Sequence, residues 1–262
     1  MIEPPDIATA RELARLYDLD LSEDPGDLDL YLALADRADG PVLELAAGTG
    51  RLAVPLAEAG HAVTAIDIDA AMLARARDRA AAAGLGPDAI DIDQADLLEL
   101  PAPAQPRHAL AFIALNSIML LATRDRQRAA IRVLATHLRP GGIAAVDAWL
   151  PDADDLVRFD GRIFHEWVRQ DPATNALVTK AGSAVHDASS GAIVLTTVFD
   201  EAAQGEAPRR WIRQDRLRLI SADELADFAE DAGLRVELIA GGYDLTPLGP
   251  GSERAVLIAE RR

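Results

Sequence analysis

Val42-Leu43-Glu44-Leu45-Ala46-Ala47-Gly48-Thr49-Gly50-Arg51 is the stretch whose reading decides the fold. It reads as a short buried strand that runs through a glycine turn into a helix. The next apolar run ends in a second acid, Asp67. Glycines at such a turn let backbone N–H groups and a helix N-terminus approach a small polar ligand, where larger side chains would obstruct it.

Outward from this turn the pattern is regular. Apolar runs at Val42–Leu45, Ala62–Ile66, Ile90–Ile92, Leu110–Leu115 and Ile143–Val146 predict strands. Helices alternate with them, among them Ala70–Ala83 and one from Arg124 to about Leu138, closed by Pro140-Gly141-Gly142. Such alternation implies a parallel sheet covered on both faces. Two further helices, over 7–18 and 27–38, precede the first strand and are separated by Asp24-Pro25-Gly26. After Pro151 the composition shifts. Ile163–Arg169, Leu177–His186, Ala192–Asp200 and Arg209–Ile220 are rich in Val, Thr, Trp and Ile. Turn signals at Asp171–Asn175, Ser189-Ser190-Gly191 and Gln204-Gly205 join them into an antiparallel meander. Ser221-Ala222-Asp223-Glu224 is a capping box opening a helix that ends at Gly233, and strands Arg235–Ala240 and Ala255–Glu260 follow. The expected organisation is a helical cap over 1–40, a core over 41–150, an antiparallel lid over 151–220, and 221–262 completing the core.

Composition excludes several functions. The chain has 262 residues, half of them apolar, and no cysteine, so disulfides, thiolate metal sites and thiol nucleophiles are ruled out. A formal net charge of -17 argues against nucleic acid and anionic membranes as partners. No apolar run reaches the roughly 18–20 residues that span a bilayer. Met1–Asp6 carries acids and lacks the basic start of a signal peptide, so a cytoplasmic location is expected.

Which ligand the glycine turn holds is open on local pattern alone. Gly48-Thr49-Gly50-Arg51-Leu52-Ala53 satisfies the dinucleotide fingerprint G-x-G-x-x-A, with Asp67 roughly 20 residues beyond it to hold a ribose. That would make the chain an NAD(P)-dependent oxidoreductase. Glu44 pulls away from this reading, because a pyrophosphate would meet a negative charge where an ammonium would welcome one. Lys180 also has no tyrosine four residues before it to form a hydride-transfer pair.

Four segments, in order and spacing, resemble those of class I S-adenosylmethionine-dependent methyltransferases. Glu44–Gly50 is similar to the motif that wraps the methionine part and the ribose, and Asp67–Leu73 to the segment whose acid binds the ribose hydroxyls. Gln94-Ala95-Asp96-Leu97 is similar to the adenine-binding segment, and His137–Gly142 to the turn into the fifth strand. The resemblance implies a Rossmann-like α/β fold: a mostly parallel seven-stranded sheet, helices on both faces and an inserted antiparallel β lid. Such a lid resembles that of N-methyltransferases acting on amino sugars and glycine. Gly241-Gly242-Tyr243-Asp244 also looks like the closing part of small-molecule members. The implied cofactor is S-adenosylmethionine, held by Tyr17, Glu44, Ala46, Gly48, Gly50, Arg51, Asp67, Ile68, Met72, Asp96 and Leu97. A SAM-binding protein without turnover is the third reading.

Methyl transfer from a sulfonium is an in-line displacement that depends on orientation and exclusion of water more than on acid–base groups. Candidates therefore lie at the ends of the fourth and fifth strands. Asn116 orients an acceptor by its amide, with Tyr17 as the second catalytic candidate; Trp149, His165, Trp167, Trp211 and Arg213 are substrate-contact candidates. Relatives often carry histidine at the place of Leu120, so the obvious general base is missing. No tight acid cluster supports a metal. The expected substrate is a small molecule, its acceptor atom nitrogen or oxygen, and the chain is expected to be a monomer or homodimer.

Overall fold

The computed structural model describes residues 5–23, 25–187, 192–203 and 205–262. Along the chain run α1 (Ile7–Asp20), α2 (Leu28–Ala38), β1 (Val42–Leu45), α3 (Ala53–Glu58), β2 (Val63–Asp67), α4 (Ala70–Ala82), β3 (Ile90–Gln94) and β4 (His108–Ile113). Then come α5 (Arg124–His137), β5 (Leu138–Trp149), α6 (Ala153–Val157), β6 (Phe164–Gln170), β7 (Leu177–Asp187), β8 (Ala192–Ala202) and β9 (Arg209–Leu217). α7 (Ala222–Asp231), β10 (Leu234–Ala240) and β11 (Arg254–Arg261) end it. Two compact units result: Asp24–Leu150 with Leu219–Arg262, and Met1–Glu23 with Pro151–Arg218.

The larger unit is the Rossmann-like α/β sheet expected from sequence. Its seven strands lie in the order β10-β11-β5-β4-β1-β2-β3. β1 to β5 pair in parallel, and β11 runs antiparallel to both its neighbours. Every residue of β1 and β4 is buried, as a central parallel strand covered on both faces requires. The chain winds outward from β1 through β2 to β3, then crosses to β4 on the other side of β1. Strand order reverses between β1 and β4, and the carboxyl ends of these strands flank the crevice where such sheets bind ligands. Gly50 combines a left-handed φ of +73° with close packing on α4: a Cβ there would stand 3.1 Å from Ala76 Cβ, tighter than ordinary contact.

Two local expectations are revised. Pro140-Gly141-Gly142 was expected to close a helix as a turn, but β5 already begins at Leu138. His108 pairs with Leu138, the register slips, and Leu110 pairs with Ile143, so the Pro-Gly-Gly run is an irregularity within the strand. β4 stops at Ile113 rather than Leu115, because Leu115 and Asn116 adopt left-handed backbone (φ +51° and +63°). The expected turns at Ser189-Ser190-Gly191 and at Gln204, like Met1–Pro4 and Asp24, lie outside the described residues.

The smaller unit is an antiparallel meander, β6-β7-β8-β9, with α1 packed on one face. Leu13, Leu16 and Leu19 recur at helical spacing and meet Val178, Phe199, Trp167 and Trp211. Ionic contacts frame this seam. Arg15 joins the buried carboxylates of Asp171 and Glu201, the latter at 3.0 Å. At the helix C-terminus Arg169 Nη1 donates to the carbonyls of Leu19 (2.8 Å) and Asp20 (2.6 Å), where a cation also complements the helix dipole. Asp20 accepts from Trp167 Nε1 at 2.8 Å and pairs with Lys180 at 2.7 Å. α1 thus groups with the antiparallel strands and α2 with the parallel sheet.

Arg15→Ala leaves Asp171 and Glu201 buried without their shared cation, a loss expected to destabilise the protein by roughly 3–5 kcal/mol. Urea unfolding read through tryptophan fluorescence checks this, since Trp167 and Trp211 lie against α1.

Candidate functional site

The glycine turn begins where β1 ends. Ala46 (φ +60°), Gly48 (φ +56°) and Gly50 (φ +73°) are all left-handed, which bends the chain sharply into the helical segment. Ala46 bears a Cβ in that conformation, at a cost of roughly 1 kcal/mol or more. The next amide, that of Ala47, donates to the Ile66 carbonyl at 3.0 Å, fixing the turn to β2. Asp67 completes this side. One carboxylate oxygen accepts from Gly48 N and the other from Asp69 N, each at 2.8 Å. Burial nonetheless raises its pKa above the ordinary carboxylate value. Asp69 caps α4 by accepting from Ala71 N and Met72 N, which leaves Met72 buried and Ile68 exposed.

Glu44 is the most unusual group here. It is buried within β1, and its Oε2 has no hydrogen-bond partner. Burial pushes its pKa up to about 8, with Arg51 opposing and Asp27 reinforcing the shift. Burial thus favours the protonated carboxyl, and a neighbouring cation would favour its ionised form. Thr49 Oγ1 is likewise buried and unpartnered. These two orphan atoms fit a ligand that brings hydrogen-bond donors, such as the ammonium of S-adenosylmethionine, better than one that brings a pyrophosphate. Glu44, Thr49, the Gly48–Gly50 backbone and Asp67 would hold that cofactor.

Arg51 was read from the motif as a cofactor contact. Its guanidinium is engaged by Asp27, with both nitrogen–oxygen distances 2.6 Å, and Asp27 is fully buried. This bidentate pair anchors the start of α2 beside the turn. Asp27 was not singled out in the sequence; the signals were an acid just after Pro25-Gly26 and a lone arginine in the glycine motif. Asp96 caps the short 3-10 turn Leu97–Glu99 by accepting from Leu98 N at 2.9 Å, and Arg126 lies 3.7 Å from its carboxylate.

Across the crevice, Asn116 follows β4 and precedes a 3-10 turn, Ser117–Leu121, in which Leu120 is exposed. Trp149, half-buried, ends β5 and pairs with Arg254 at the start of β11. Tyr17, His165, Trp167, Trp211 and Arg213 belong to the smaller unit. There Trp167 and Trp211 pack against α1, Trp211 Nε1 lies 3.4 Å from Glu201, Arg213 pairs with Asp215 at 2.8 Å, and His165 is exposed. Among the described residues no group of three acids or histidines is placed to hold a metal ion, and no helix is long and apolar enough to cross a membrane.

The family described as a methyltransferase domain matches residues 42–142, from β1 into β5. An uncharacterized protein of Mycobacterium tuberculosis is 36% identical over 111 residues, 42% of this chain and 38% of that protein. The chain thus matches little more than a third of the length of its curated relatives. Among solved structures, an S-adenosylmethionine-dependent methyltransferase from Clostridium acetobutylicum has a TM-score of 0.78 at 17% identity, covering 95% of this chain and 98% of that one. The sugar N-methyltransferase KedS8 from Streptoalloteichus has a TM-score of 0.72 at 19% identity, covering 94% and 92%. At these identities the likeness is one of fold.

Glu44 also makes a pH prediction. Its folded pKa, about 8, exceeds the ordinary 4.5, so the folded protein retains a proton that the unfolded chain releases. Its contribution is full below about 4.5 and declines as pH rises to about 8. Urea midpoints at several pH values in this window should fall with pH, and Glu44→Gln should flatten the slope.

Proposed function

We propose, from the match of residues 42–142 to the methyltransferase-domain family, that this chain transfers a methyl group from S-adenosylmethionine to a small-molecule acceptor, with nitrogen the favoured acceptor atom. The observation that carries the reading is the buried, unpartnered Glu44 carboxyl beside a left-handed glycine turn, with Asp67 at the end of the neighbouring strand. When bound, the cofactor supplies a methyl carried by a sulfonium; the acceptor's lone pair forms the new bond as the sulfur–carbon bond breaks.

The protein's own contribution is binding and orientation. Glu44 and Thr49 offer oxygens to the cofactor's ammonium end, Asp67 accepts from ribose hydroxyls, and Asp96 accepts from the adenine amino group. Asn116, at the end of β4, orients the acceptor. With leucine at position 120, no histidine stands there to take a proton, so the acceptor amine arrives as the free base and the product ammonium loses its proton to solvent. Nitrogen is favoured because a four-stranded antiparallel insertion accompanies the core, and KedS8, a fold relative, is a sugar N-methyltransferase. The net charge of -17 favours a small acceptor over a nucleic acid.

Calorimetry of the stripped protein with S-adenosylmethionine, with NADH as comparison, tests the cofactor. Binding should appear for the former alone, and Asp67→Ala should weaken it by about tenfold to a hundredfold, the worth of hydrogen bonds to a charged group. Tight NADH binding without heat from S-adenosylmethionine would hand the turn to a dehydrogenase. Release of S-adenosylhomocysteine over a panel of amino sugars, amino acids and matched alcohols then separates nitrogen from oxygen acceptors. A protein that binds the cofactor and yields no product with any of them would be a binding protein instead.

A further inference from the structure

Asp147 lies in a strand that is otherwise apolar from Ile143 to Ala148, and it is fully buried. Oδ1 accepts from the Tyr31 hydroxyl of α2 and from the backbone N–H of Leu115, both at 2.9 Å. Oδ2 accepts from Arg254 Nη1 of β11 at 2.8 Å and from the Tyr243 hydroxyl, in the connection between β10 and β11, at 3.0 Å. The Arg254 guanidinium lies 4.3 Å from the Tyr243 ring centroid, and Tyr31 packs on Phe112 of β4 with centroids 4.4 Å apart. Burial raises the Asp147 pKa, while the Arg254 charge and the hydrogen bonds from Leu115, Tyr31 and Tyr243 oppose the shift.

Four donors and no exposure leave this carboxylate unable to reach a substrate proton. Apolar packing at this point of β5 would stabilise the sheet at least as well as a buried charge cluster. What distinguishes the cluster is the backbone it holds. Leu115 is left-handed, a conformation that leucine adopts only when its surroundings impose it, and its amide is one of the four donors. Asn116 follows, also left-handed, and its Oδ1 lies 3.5 Å from Nη1 of the same Arg254.

We infer that Asp147 is a positioning residue: with Tyr31, Tyr243 and Arg254 it fixes the left-handed Leu115–Asn116 turn, and with it the Asn116 amide on the acceptor side. This rests on the methyltransferase reading. The same network explains why elements from both ends of the larger unit converge on the end of β4.

Asp147→Asn keeps the side chain's shape but leaves one accepting oxygen for four donors; Tyr243→Phe removes a single donor and serves if the first variant fails to fold. Amide hydrogen exchange is followed over 114–122, with β1 and β2 as internal reference, and cofactor affinity is measured by calorimetry on the same samples. Exchange over 114–122 should become about tenfold or more faster in Asp147→Asn, and less so in Tyr243→Phe, while β1, β2 and the affinity for S-adenosylmethionine stay within about twofold. Leu115→Gly removes the left-handed penalty, so adding it to Asp147→Asn should return exchange over 116–122 towards the wild-type rate. Turnover of the best acceptor in the panel should follow the same order, falling in kcat with the KM for S-adenosylmethionine unchanged. Equal acceleration in β1, β2 and the turn, or no rescue by glycine, would reduce Asp147 to a core-holding residue and overturn the inference. Wild-type protein that binds no S-adenosylmethionine, with local exchange as expected, would instead sink the methyltransferase reading and with it the purpose assigned to the turn.

Discussion

Withdrawing a carboxyl group from water is costly unless donors replace the lost hydration, and the larger unit does this repeatedly where its strands end. Asp67 takes backbone amides from the glycine turn and from the start of α4. Asp147 takes two tyrosines, an arginine and an amide, and Asp27 takes a bidentate arginine. Glu44 alone has an oxygen left over, and it meets the cost by holding its proton. The first three satisfied acids fix the walls of the crevice. The fourth is left incomplete, as a group awaiting a charged ligand would be.

The backbone follows the acids. Ala46 and Leu115, residues that disfavour left-handed conformations, both take them just beyond the ends of β1 and β4, the strands between which the order reverses. Leu115 is tied through its own amide to Asp147, and the turn that opens at Ala46 is tied through the following amide, that of Ala47, to the Ile66 carbonyl. The sheet supplies the rigid frame, and strain is confined to the turns that face the crevice.

Local features made the fold readable. The glycine turn, the acids Asp67 and Asp96, the capping box at Ser221–Glu224 and the alternation of strand and helix lie within a few residues of the structure they form. The partners of Asp147 could not be read this way, because Tyr31, Tyr243 and Arg254 stand 116, 96 and 107 residues from it. An acid in an apolar strand was visible, but nothing local named its donors. The Asp27 partner of Arg51 was hidden for the same reason, since that carboxylate lies 24 residues upstream. Trp167 and Trp211 drew attention as aromatics in a polar meander, whereas the leucine stripe of α1 that they cover is more than 140 residues earlier. The Pro-Gly-Gly run was read as a stop because proline and glycine punctuate most helices, but here the strand absorbs it through a slip of register.

Lys180 has a practical bearing. It is the chain's single lysine, and its ammonium is held 2.7 Å from both Asp20 of α1 and Glu166 of β6. An amine engaged on two sides in this way is a poor nucleophile towards acylating reagents, and every other side-chain cation is an arginine. Amine-directed labelling of this protein therefore concentrates on the α-amino group while α1 is seated. Acylation at position 180 becomes a chemical marker for the departure of that helix from its sheet.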